Sequence, residues 1–100
     1  MPVIIDQWKA RRSNTLRGFA DITLPSGMRM MEVAIHVSNG RAWASPPSKP
    51  WLKGEAVMRG DDGKIRYSPI IEFTTKELRD RWSNAVIDAI RLMDPSVLTD

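Results

Sequence analysis

The sequence predicts an α+β fold: a twisted antiparallel β-sheet of about five strands followed by one C-terminal amphipathic helix. Three observations predict it. Residues 16–45 alternate in two-residue steps, the period of a half-buried strand. Asn39-Gly40 lies between two such runs and is a strong hairpin signal. After residue 73 apolar residues recur at three- and four-residue spacing behind a capping signal, which is a helix. Strands first and a helix last argue against a parallel α/β sheet.

Val3–Arg12 reads as the first extended segment, with Ile4, Trp8 and Ala10 on one side and Lys9 and Arg11 on the other. Leu16–Leu24 places Leu16, Gly18, Ala20, Ile22 and Leu24 opposite Arg17, Phe19, Asp21 and Thr23. Pro25-Ser26-Gly27 is a turn, because proline presets φ and glycine accepts a positive one. Met28–Val37 puts Met31, Val33, Ile35 and Val37 inside and Met30, Glu32, Ala34 and His36 outside. Past the Asn39-Gly40 turn, Arg41–Ser45 returns with Ala42 and Ala44 facing the helix and Arg41 and Trp43 facing away.

Ser45–Lys53 holds three prolines and is excluded from a central strand. Gly60-Asp61-Asp62-Gly63 is an exposed turn, and Lys64–Phe73 is the last strand, interrupted at Pro69. Thr74 with Glu77 forms a capping box for the helix. Leu78, Trp82, Ala85, Val86, Ala89 and Met93 form its apolar stripe, Ser83 lies off it, and Asp94-Pro95 ends it. Ile87 and Leu92 also fall outside the stripe, so two copies sharing edges or helices would bury them. Residues 1–94 make one domain and residues 95–100 a tail.

Composition narrows the chemistry. The chain has 100 residues, 42% of them hydrophobic, which suits one globular domain. With no cysteine and one histidine, His36, it has no disulfide framework and no His/Cys metal cluster. No apolar run approaches a bilayer span, and Met1–Asp6 lacks the features of a signal peptide, so a cytoplasmic protein is expected. There is no GxGxxG or GxxxxGK[ST] phosphate cradle and no paired nucleophile and base. The expectation is a non-enzyme with no cofactor and no small-molecule substrate.

Charge is uneven. Residues 1–53 carry eight Lys and Arg against three Asp and Glu, whereas residues 54–100 carry seven against nine. Bases concentrated in the strand region point to a polyanion. Arg17, Phe19, Arg29, Arg41, Trp43, Lys64 and Arg66 are placed on one sheet face, with Lys49, Trp51 and Lys53 on the Pro-rich loop beside it. Cations would neutralise phosphates and aromatic rings would stack on bases. Trp8 and Trp82 are read as core.

The run Leu16-Arg17-Gly18-Phe19-Ala20-Asp21-Ile22-Thr23-Leu24, then Ser45-Pro46-Pro47-Ser48-Lys49, then Tyr67-Ser68-Pro69-Ile70 and a C-terminal amphipathic helix, resembles the stage V sporulation protein G family of bacterial septation regulators. The resemblance spans residues 3–92, and its most specific piece is the Pro-Ser-Lys stretch directly after the Arg41–Ser45 strand. It implies a homodimeric α+β protein that binds DNA, and in some members RNA, to regulate gene expression, with Lys49 and its neighbours in the contact. The chain departs from the family in a longer 50–63 loop and in a helix ending at Asp94 rather than in a basic cluster. A weaker, architectural resemblance to single-stranded-DNA-binding transcriptional coactivators implies the same chemistry. The expected partners are therefore nucleic acid and a second copy of the chain, with no membrane. The alternative reading is a protein-interaction dimer that grips its partner with the Trp51 loop.

Overall fold

The computed structural model describes residues 3–50, 52–53, 56–57, 59–63 and 67–99. Four strands, β1 (Ile4–Ser13), β2 (Leu16–Thr23), β3 (Arg29–Ser38) and β4 (Arg41–Ser45), form one antiparallel sheet in chain order. Beyond it lie two small ribbons. One pairs β5 (Ser48–Pro50) with β8 (Tyr67–Pro69), and the other pairs β6 (Leu52–Lys53) with β7 (Ala56–Val57). Helix α1 (Lys76–Met93) and a 3-10 turn (Pro95–Leu98) complete the α+β arrangement. The main sheet has four strands where about five were expected: of the expected last strand, Lys64–Phe73, the described residues form strand at Tyr67–Pro69, which pairs with β5, and residues 64–66 lie outside the described residues.

The turns follow from residues that tolerate positive φ. Asn39 and Gly40 both adopt it, at 52° and 75°, giving the tight β3–β4 hairpin. Gly27 at 92° closes the Pro25-Ser26-Gly27 turn, whose Leu24 amide donates to Met28 O at 2.8 Å. The Gly60–Gly63 turn is closed by Gly63 N donating to Gly60 O at 2.9 Å.

Two bulges decide which side chains reach the core. In β1 the register passes from Ile5↔Ile22 to Gln7↔Asp21, so Asp6 is inserted. In β3 it passes from Met30↔Ile22 to Val33↔Ala20, so two residues, Met31 and Glu32, oppose Asp21 alone. Glu32 takes φ +59° there, and its amide donates to the Asp21 carboxylate at 3.1 Å. Each bulge lengthens the inward spacing from two residues to three. Ile5 and Trp8 pack inward while Ile4 is exposed, and Met30 is buried while Met31 is exposed. These are corrections to the alternation read from sequence, which put Ile4 on the same side as Trp8, Met31 inside and Met30 outside.

A further bulge at Arg17 pairs Leu16 with His36 and Gly18 with Ile35. Leu16 therefore leaves the Gly18–Ala20–Ile22 face to which simple alternation assigned it. Gly18 is needed where it stands. A Cβ at this position would lie 2.4 Å from Lys9 O and 2.7 Å from the Trp8 ring, which crosses over it.

The helix lies on the inward face of the sheet. Trp82, Val86, Ile87 and Ile90 bury against Ala20, Ile22, Val33, Ile35 and Ala44. Its buried stripe is rotated from the one expected: Ser83 and Ile87 are inside, while Leu78, Ala85 and Met93 are exposed. Ser83 is buried for a reason. Its hydroxyl accepts the Ala44 amide at 2.9 Å, satisfying an outward N–H on edge strand β4. The N-cap is Thr75 rather than Thr74, its Oγ1 accepting Leu78 N at 3.2 Å. Asp94 ends the helix as expected and then caps the 3-10 turn, from which Val97 and Leu98 pack on the core. Phe73 tilts against Trp82 with ring centroids 5.3 Å apart. No helix among the described residues is long and apolar enough to cross a membrane.

Substitutions at two positions test this core. Gly18→Ala is expected to cost about 2–3 kcal/mol, because backbone and an indole ring must both give way. Asp21→Ala is expected to cost about 2 kcal/mol by orphaning the Glu32 amide, whereas Asp21→Asn, which keeps an acceptor, costs much less. Urea denaturation of the three variants measures both.

Candidate functional site

The helix covers one face of the sheet, and the other carries the polar halves of β1–β4. Across that open face, cross-strand rows follow from the register. Lys9, Phe19, Ala34 and Ser45 form one row, and Leu16, His36 and Trp43 form the next toward the β3–β4 hairpin. His36 and Trp43 stack with centroids 5.3 Å apart and planes 10° from parallel. Thr15 Oγ1 lies 3.0 Å from His36 Nδ1 and holds the imidazole in that orientation. Leu16, Phe19, Ala34, His36, Pro46 and Tyr67 line a hollow of about 550 Å³ in front of these rows.

The basic residues divide into two groups. The β1–β2 and β3–β4 turns share one end of the sheet, because Ser13 pairs with Leu16, Leu16 with His36 and His36 with Trp43. Arg11, Arg12 and Arg41 are exposed at that end. Arg17 is there too, but its Nη1 donates to the carbonyls of Asn14, Thr15 and Leu16 at 3.0, 3.3 and 3.4 Å. It clamps the β1–β2 turn. Toward the other end the charges pair off. Lys9 Nζ donates to Glu32 Oε1 at 2.9 Å, and that hydrogen bond, with the nearby carboxylate charge, raises the lysine pKa above its usual value. Arg29 Nε lies 3.5 Å from Asp6 Oδ2, which also accepts from Thr23 Oγ1 at 2.6 Å.

Of the residues singled out in the sequence, Phe19, Arg41 and Trp43 are brought toward one end of the open face. Arg29 is not: the length of β3 separates it from Arg41 by roughly 25–30 Å. Lys49 and Lys53 lie on the backbone of β5 and β6, and their side chains, with Trp51, Lys64 and Arg66, lie outside the described residues. The sequence reading missed Arg11, Arg12, Leu16, His36 and Tyr67 as members of this region. The Arg11-Arg12 pair directly before the Asn14 turn was a visible signal for the basic end. Leu16 was hidden by the bulge at Arg17.

Trp43 also borders a second groove, with Arg41, Lys76, Asp80, Ser83 and Asn84 across the β4 edge. Lys76 and Asp80 pair there at 2.6 Å. Among the described residues no group of three or more His, Asp or Glu side chains is placed to hold a metal ion. Burial lowers the His36 pKa below its ordinary 6.5. Folding thus favours the neutral ring, so its contribution to stability is complete above about pH 6.5 and declines as pH falls through that value. Denaturant unfolding at pH 7.5 and 5.5 is expected to show this loss in the parent chain and a smaller loss in His36→Gln.

No protein-family model, curated protein or solved structure matches this chain.

Proposed function

We propose that this chain is a nucleic-acid-binding protein, taking DNA, single strands included, and RNA, and that it acts as a cytoplasmic homodimeric regulator by binding rather than catalysis. One observation carries the reading: the stacked His36–Trp43 pair stands on an open sheet face at the same end as exposed Arg11, Arg12 and Arg41. The rings offer a platform to unstacked bases, each stack contributing about 1–3 kcal/mol with little regard to sequence. The arginines neutralise phosphates and release condensed counterions. Phe19, one row away above the hollow, extends the aromatic path.

A second reading, a protein partner gripped by the same face, is favoured by the Lys9–Glu32 and Arg29–Asp6 pairs, which remove net charge from the other half of the face. Anisotropy titrations of labelled single-stranded DNA, duplex DNA and RNA at several salt concentrations separate the two. Nucleic-acid binding is expected to weaken steeply with salt. Arg41→Ala lowers the salt slope by about one, and Trp43→Ala weakens single-strand affinity roughly tenfold. Binding that is absent at low salt or indifferent to it overturns the nucleic-acid reading in favour of the protein partner.

A further inference from the structure

The outer side of α1 carries a second pattern, which shares Trp82 and Ala89 with the stripe that meets the sheet. Leu78, Arg81, Trp82, Ala85, Asp88, Ala89 and Leu92 line one groove of about 420 Å³ beside Val3, Leu24 and Pro25. Their spacing of three and four residues over two heptads is that of a helix seam prepared for another helix. Leu92 is 85% exposed and Leu78 45%, costly positions for large apolar side chains left in water.

This seam is symmetric about Ala85. Leu78 lies seven residues before Ala85 and Leu92 seven after it, while Arg81 and Asp88 lie four before and three after. Two antiparallel copies of the helix crossing at Ala85 would set Leu78 against the other copy's Leu92 and Arg81 beside its Asp88, both twice over. The small Ala85 and Ala89 permit close approach at the centre. Asp88 already accepts from Arg91 Nη1 at 3.1 Å, and a carboxylate has room for a further donor. No neutral or single-sign partner would use both charges in this order; a second copy of the same surface does.

We infer that the chain dimerises through this seam, two α1 helices packing antiparallel about a two-fold axis at Ala85. This rests on the homodimer in the proposed function and names its interface. It also fixes what the dimer leaves open. The helix lies on the face of the sheet opposite His36 and Trp43, so pairing through it leaves both open faces uncovered.

The absence of cysteine makes the test clean. Facing Cα atoms at the axis of a close helix pair stand about 5 Å apart, within disulfide range. Ala85→Cys is expected to form a disulfide-linked dimer under mild oxidant, whereas Asn84→Cys, one residue off the seam, does not. By sedimentation equilibrium, Arg81→Asp should weaken dimerisation at least tenfold, and Arg81→Asp with Asp88→Arg should restore it. Circular dichroism melts confirm that each variant is folded. A parent chain that dimerises while Ala85→Cys fails to cross-link and Arg81→Asp has no effect overturns this interface and leaves the homodimer standing. A monomeric parent chain overturns both.

Discussion

Asp21 is the residue on which the sheet's arrangement turns. The residue is nearly fully buried, and it stands opposite the bulges of both neighbouring strands. Accepting the Glu32 amide lets β3 place two residues where one would ordinarily pair, with Glu32 in a left-handed conformation that a non-glycine residue adopts only with support. The change of parity brings Met30 inside along with Val33, and the matching bulge in β1 brings Ile5 inside along with Trp8. Without these insertions, alternation alone would send Ile4 and Met31 into the core and push the better-fitting side chains out. The unbroken Gly18–Ala20–Ile22 row of β2 is the fixed rail against which both neighbours are offset.

That inward row determines where the helix sits. Small residues at Gly18, Ala20 and Ala44 leave room for Trp8, Trp82 and the Val86–Ile90 stripe. Ser83 turns a packing contact into a directional one by capping the Ala44 amide, so β4 gains cover along an edge otherwise open to pairing. The β1 edge is guarded differently, by Lys9, Arg11 and Arg12.

Local signals in the sequence were strong enough to give the strand order, the Asn39-Gly40 hairpin, the acidic Gly-flanked turn and the helix end at Asp94. Each depends on residues adjacent in the chain. What escaped depends on partners far away. A bulge has no composition of its own, so Met30, Met31, Ile4 and Leu16 were assigned to the wrong faces. The helix stripe was rotated for a related reason: α1 carries two seams sharing Trp82, and periodicity alone cannot say which one meets the sheet. Arg17 read as a phosphate contact, but its Nη1 donates to three turn carbonyls and so engages the guanidinium locally. Trp43 and Arg41 were legible because the β3–β4 hairpin fixes β4 without reference to any bulge, and Phe19 because it lies on the unbroken 18–20 stretch of β2.

The open face is therefore electrically two-sided, and the division has a structural origin. The bulges that set the core also carry acids: Asp6 is the inserted residue of β1 and Glu32 belongs to the insertion in β3, so each bulge brings a carboxylate beside a base, Arg29 or Lys9. No acidic residue accompanies the β1–β2 and β3–β4 turns, which are built from Ser13, Asn14, Thr15, Ser38, Asn39 and Gly40. Among the described residues, the exposed Arg11, Arg12 and Arg41 gather at the end where these two turns lie, away from both carboxylates. A polyanion meeting this face would feel attraction toward that end and little along the rest, and the rings of His36 and Trp43 stand on the side of the boundary where the attraction lies.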